Sequence, residues 1–105
     1  MRCMMKVSIP VEAGNAKIKD GTLGKTIQAI LSDLKPEAAY FTTVHEQRGG
    51  YIFFDLRDSS HIPAVAEPWF LAFNASVEFM PVMNGEDLAK AGAGIEKAVK
   101  KYASK

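Results

Sequence analysis

The run Tyr51-Ile52-Phe53-Phe54-Asp55-Leu56-Arg57 constrains this chain more than any other segment, because it reads as a strand with apolar residues on both faces. Side chains alternate across a strand, so Ile52, Phe54 and Leu56 share one face while Tyr51 and Phe53 share the other, ahead of Asp55 and Arg57. A sheet with helices on one side should turn polar side chains to water on the other. This strand does not, and a second cover is expected.

The remaining segments supply a sheet and its helices in a definite order. Cys3, Met5, Val7 and Ile9 alternate with Met4, Lys6 and Ser8 in a first strand that Pro10 ends. A polar stretch through Asn15 leads to Ile18, Leu23, Ile27, Ile30, Leu31 and Leu34, whose later members have helical spacing. Gly21 and Gly24 each cost about 1 kcal/mol relative to alanine in a helix, so the segment reads either as one weakened helix or as two with a break near Asp20-Gly21. Lys35-Pro36 stops this helix, and Ala38 to Val44 forms a second strand. Gln47-Arg48-Gly49-Gly50 is expected to turn the chain into the third strand, making an antiparallel hairpin.

Asp58, Ser59 and Ser60 offer capping oxygens to a second helix carrying Ile62, Val65, Ala66, Trp69, Phe70 and Phe73. Pro63 suits its first turn, and Pro68 is expected to kink or break it. Val77 to Met83 alternates as a fourth strand, and a last helix opens at Gly85-Glu86-Asp87 with Leu88, Ile95, Ala98, Val99 and Tyr102 on one side. The order is βαββαβ with an added C-terminal helix. The sheet is expected to be antiparallel at its edges, strands two and four, and the right-handed crossover rule is read as setting strands one and three parallel at its centre.

With 105 residues the chain has the length of a single domain, 1–105, and too few for two. A formal net charge of +1 provides no long-range field to gather nucleic acid or anionic lipid. Cys3 stands alone, so no intrachain disulfide or cysteine metal cluster is available, and it reads as a small buried residue on a strand. No apolar run reaches signal-peptide or bilayer-spanning length, so a cytoplasmic protein with no membrane contact is expected.

Lys35-Pro36-Glu37-Ala38-Ala39-Tyr40-Phe41, the turn into Gly50-Tyr51-Ile52-Phe53-Phe54, and Glu67-Pro68-Trp69 followed by Pro81-Val82-Met83, in a βαββαβ frame, carry a resemblance. The chain resembles the dimeric α+β barrel group of ferredoxin-like folds, and within it a bacterial family of small proteins of unknown activity. The resemblance implies an α+β ferredoxin-like domain with a four-stranded antiparallel sheet, closed into a barrel by a second copy. The group includes cofactor-independent monooxygenases, isomerases, haem-degrading proteins and ligand-sensing domains, so it points to fold and dimerisation rather than to one activity. The expected dimer face is Met4, Lys6, Tyr51, Phe53, Glu78 and Met80, with Glu78 placed to pair with Lys6 across the interface.

Three motifs carry less than they suggest. Gly24-Lys25-Thr26 imitates the end of a phosphate-binding loop, but Lys19 stands where that loop needs glycine and the segment follows no strand. Arg48-Gly49-Gly50-Tyr51-Ile52-Phe53 is similar to the third strand of RNA-recognition modules, yet Ile52 replaces their small residue and Asp55 adds negative charge. No nucleic-acid partner is therefore expected. His45 and His61 are the only histidines and no cysteine or paired carboxylate completes a metal set with them, so no metal or cofactor is expected.

Among single residues His61 is the best placed to act as an acid or base, since it precedes the second helix near Asp55, Arg57 and Asp58. Trp69, Phe70 and Phe73, with Tyr40 and Asn74 as polar additions, are the candidates for a ligand pocket between helices and sheet. The readings that follow are a homodimer, either structural or binding a small apolar or aromatic molecule, or a cofactor-independent monooxygenase or isomerase using His61 or a tyrosine with Trp69 or Phe73. RNA binding on an open sheet face is the weakest of the three.

Overall fold

The structure, a computed structural model, describes residues 1–103. Strand β1 (Arg2–Ile9) runs down the middle of a four-stranded sheet, its backbone paired with a neighbouring strand along each edge. Cys3, Met5, Val7 and Ile9 all point into the core and are almost wholly buried. Strands β2 (Ala38–Val44), β3 (Gln47–Asp55) and β4 (Ser76–Pro81) complete the order β2-β3-β1-β4. All three pairings are antiparallel, including β1 with β3, which corrects the parallel centre expected from the crossover rule. The rule relates β1 to β2 across the intervening helices. These two are not neighbours, and the hairpin reverses the chain before β3 inserts between them. The result is the α+β ferredoxin-like arrangement.

The helical segment after β1 is two helices, α1 (Val11–Lys19) and α2 (Leu23–Leu34). α1 starts directly after Pro10, earlier than the polar run through Asn15 suggested. Gly21 makes the break at a positive φ of 79°, and Asp20 Oδ1 accepts hydrogen bonds from Thr22 N and Thr22 Oγ1. α2 then lays Leu23, Ile27, Ile30, Leu31 and Leu34 against the core at helical spacing. It ends with Lys35 in the left-handed conformation ahead of Pro36.

The β2–β3 hairpin does not turn at the glycine pair. His45 and Glu46 make the reversal, both at positive φ, while Gln47 pairs with Val44 and the glycines lie within β3. A Cβ on Gly50 would sit 2.7 Å from the Tyr40 carbonyl oxygen and 2.9 Å from the Phe41 ring, and one on Gly49 would strike the Val7 carbonyl. Close approach of the neighbouring backbones, rather than turn geometry, requires glycine there.

Asp58 Oδ2 accepts from Ser60 N and from Ser60 Oγ, opening a short 3₁₀ turn (Ser59–His61) that runs into α3 (Ile62–Phe73). α3 is a single helix, not two, although Pro68 lies inside it. One lost hydrogen bond is outweighed by Ala66, Trp69 and Phe73, which are buried along one face and hold the helix to the sheet. Asn74, left-handed at φ 54°, caps its end. The expected terminal helix is divided at Ala91 into α4 (Gly85–Lys90) and α5 (Gly92–Tyr102), and α4 carries a reciprocal capping box between Asn84 and Asp87.

The core forms between the sheet and helices α2 and α3, where Met5, Val7, Ile52, Phe54, Trp69 and Phe73 are its most buried large side chains. The opposite sheet face carries Met4, Lys6, Tyr51, Phe53, Glu78, Met80 and Tyr40, as the pairings Met4↔Phe53, Met4↔Met80, Lys6↔Tyr51 and Tyr40↔Tyr51 require. Tyr40 meets Phe53 edge to face, with ring centroids 6.4 Å apart. Lys6 Nζ lies 3.2 Å from Glu78 Oε2 across the β1–β4 pairing of the same chain, so the partner first assigned to Lys6 in a second copy is supplied within one.

Candidate functional site

A cavity of about 550 Å³ opens between α2, α3 and the sheet. The floor is Val7 and Ile9 of β1 with Gly49, Gly50 and Ile52 of β3, and the missing side chain of Gly50 leaves room beside Phe41. Leu23 and Ile27 of α2 form one wall, Trp69 of α3 the inner end, and Phe41, Thr42, Thr43 and Arg48 the hairpin side. The lining is predominantly apolar with few polar groups, the composition of sites that take small organic molecules.

Two of the lining residues, Trp69 and Arg48, carry side-chain donors with no partner among the described residues. Trp69 is 1% exposed, and among the described residues nothing accepts a hydrogen bond from its Nε1–H. A buried donor without an acceptor is uncommon and costly. Arg48 is half-buried and takes part in no ion pair among the described residues, whereas Arg2 pairs with Glu37 and Asp87, and Arg57 pairs with Asp55. Arg2 Nε donates to Glu37 Oε1, and this bond, with the charges of Glu37, Asp87 and Glu86, raises the pKa of the Arg2 guanidinium.

The residues expected to form a pocket are distributed differently from one another. Trp69 lines the cavity. Phe73 is buried in the core against Trp69, with ring centroids 5.9 Å apart. Phe70 is partly exposed, Asn74 is an exposed helix cap, and Tyr40 lies on the far face of the sheet. His61 borders a separate, smaller hollow of about 370 Å³ with Asp33, Asp55 and Pro68, near the other end of α2. The structure thus does not bring His61 and Trp69 to one cavity, and no tyrosine lines the cavity that holds Trp69.

Sequence reasoning missed Arg48, Gly50, Phe41 and the two α2 residues as parts of one site. A signal for Arg48 was present: it lies two and four positions before Gly50 and Ile52 in reverse order of the alternation, and so shares the helix-facing phase of Ile52 and Phe54. Assigning it to a turn concealed that phase.

No family model matches the sequence, and no curated protein is significantly similar to it. Among solved structures, the chain is similar to 5-chloro-2-hydroxyhydroquinone dehydrochlorinase (TftG) from Burkholderia phenoliruptrix AC1100, solved in complex with 2,5-dihydroxybenzoquinone. The TM-score is 0.60 at 13% identity, over 82% of this chain and 97% of that one. At that identity the likeness establishes the fold, a member of the ferredoxin-like α+β group, and no more. No helix among the described residues is long and apolar enough to cross a membrane.

Proposed function

We propose that the chain is one ferredoxin-like domain that works as a homodimer and binds a small apolar or aromatic molecule in the cavity between α2, α3 and the sheet. The observation that carries this reading is the cavity of about 550 Å³ with a predominantly apolar lining that includes Trp69, Phe41, Leu23, Ile27 and Ile52. That volume suits a ligand of one or two rings, and a flat apolar wall stacks against such rings. TftG, a protein of the same fold, was solved with a hydroxyquinone, which supports a ring compound by analogy of fold. The likeness to a bacterial family of small proteins adds no activity to this reading.

The cavity favours binding over proton-transfer catalysis. Among the described residues its lining contains no aspartate, glutamate, histidine, lysine or tyrosine, so a monooxygenase or isomerase working there would lack an acid or base from them. Dimerisation rests on the uncovered face, where Met4, Tyr51, Phe53 and Met80 form an apolar patch with Tyr40 beside it.

Isothermal titration with 2-naphthol tests the ligand reading. One molecule is expected to bind per chain, and Ile27→Trp, which fills the cavity from α2, is expected to abolish the heat while leaving the circular dichroism spectrum intact. Absence of binding, or binding that Ile27→Trp leaves unchanged, would refute the assignment.

A further inference from the structure

The cavity's charge is one-sided. Of the described residues that line it only Arg48 is ionised, and no carboxylate stands among them to neutralise it. Arg48 pairs with Ile9 on β1 and with Thr43 on β2, so its side chain rises from the sheet on the face that carries the helices. The stem and guanidinium lie against Gly14 of α1, where an added Cβ would come within 2.7 Å of Arg48 Nη1. Gly14, buried in the middle of a helix, thereby leaves the space in which this guanidinium sits. A half-buried guanidinium on an apolar wall loses hydration without gaining a counter-charge, in contrast to Arg2 and Arg57 with their carboxylates.

Resting on the reading of this cavity as a ligand site, we infer that the ligand carries an acidic oxygen, a carboxylate or an ionised ring hydroxyl, and that Arg48 is the residue that receives it. A guanidinium presents parallel N–H donors that match two carboxylate oxygens or a phenolate with its neighbouring oxygen. The class is therefore an aromatic or quinonoid acid: apolar faces for Leu23, Ile27, Phe41 and Ile52, and one anionic edge for Arg48.

A matched pair of probes separates this inference from the cavity reading beneath it. 2-Naphthoate and 2-naphthamide have nearly the same shape and differ in charge. Wild-type protein is expected to bind the acid about tenfold more tightly than the amide, the scale of one charge-assisted contact. Arg48→Met should erase that preference and leave the amide's affinity within about twofold, while Arg48→Lys keeps part of it, since lysine retains charge without the fork. Equal affinities in the wild type, or a preference that survives Arg48→Met, would overturn the assignment of Arg48 while 2-naphthol binding still stood. Failure of all three probes would overturn the cavity reading and this inference together. Should Arg48→Met fail to fold, the wild type decides: the acid's affinity must fall with rising ionic strength and the amide's must not.

Discussion

Gly50 shows how one residue serves both the sheet and the cavity. Its sequence neighbours suggested a turn, because paired glycines between two strand-like runs commonly reverse the chain. In the structure it lies at the centre of β3, opposite Val7 on one side and Phe41 on the other, and its bare Cα is part of the cavity floor. Gly50→Val would drive a branched side chain into the Tyr40 carbonyl and the Phe41 ring, and the carbonyl belongs to backbone held in the ladder. A loss of about 2–3 kcal/mol in urea denaturation is expected, the usual scale of overpacking at a buried site. Stability within about 0.5 kcal/mol of wild type would show that β2 yields at this point.

At the scale of elements, local signals located most helices and strands, and tertiary packing adjusted their boundaries. Asp20-Gly21 marked where the segment after β1 could break, and the structure decided that it does, with Gly21 at positive φ and Asp20 accepting from Thr22 N. The continuity of α3 through Pro68 was not, because it depends on how firmly Trp69 and Phe73 are held by the sheet. The start of α3 yields a prediction about pH. Hydrogen bonds from the Ser60 side chain, then from its backbone N–H, with a smaller charge effect of His61, hold the Asp58 carboxyl below the usual carboxylate range. A carboxyl whose pKa is lower folded than unfolded stabilises fully above its unfolded value, and that contribution is lost as pH falls through the folded value. Asp58→Ala should therefore lower the melting temperature at neutral pH, with the gap to wild type closing below about pH 4. A gap that stays constant into strong acid would contradict this account of the cap.

The whole molecule is elongated, 61 Å along its longest axis and 27 by 22 Å across. The C-terminal segment leaves much of its apolar stripe uncovered: Leu88, Ile95, Val99 and Tyr102 are each more than half exposed. The sheet, by contrast, has helices on one face and an apolar patch on the other, the geometry that motivates the proposed pairing of two copies. A stable interface of standard size buries about 800 Å² on each partner, which a four-stranded sheet face can supply. Sedimentation equilibrium should return a dimer for the wild type at micromolar concentration and a monomer for Phe53→Glu, which sets a charge in the middle of the patch. The variant should retain 2-naphthol binding, because the cavity lies on the other side of the sheet. A monomeric wild type would remove the dimer and favour an exposed role for Tyr51 and Phe53, RNA stacking included.

The order of elements and the two faces of the sheet were determined by the sequence by itself, because side-chain alternation in strands and the helical repeat are local geometry that each short segment carries alone. Cys3, Met5, Val7 and Ile9 could be separated from Met4, Lys6 and Ser8 without any knowledge of their neighbours. Only the tertiary structure decided where the hairpin turns, that β1 and β3 run antiparallel, and that Arg48, Gly50, Ile27 and Trp69 surround one cavity away from His61. These are relations between segments far apart in the chain. They are set by which backbones approach closely enough to require glycine, and by which helices pack over the space that remains.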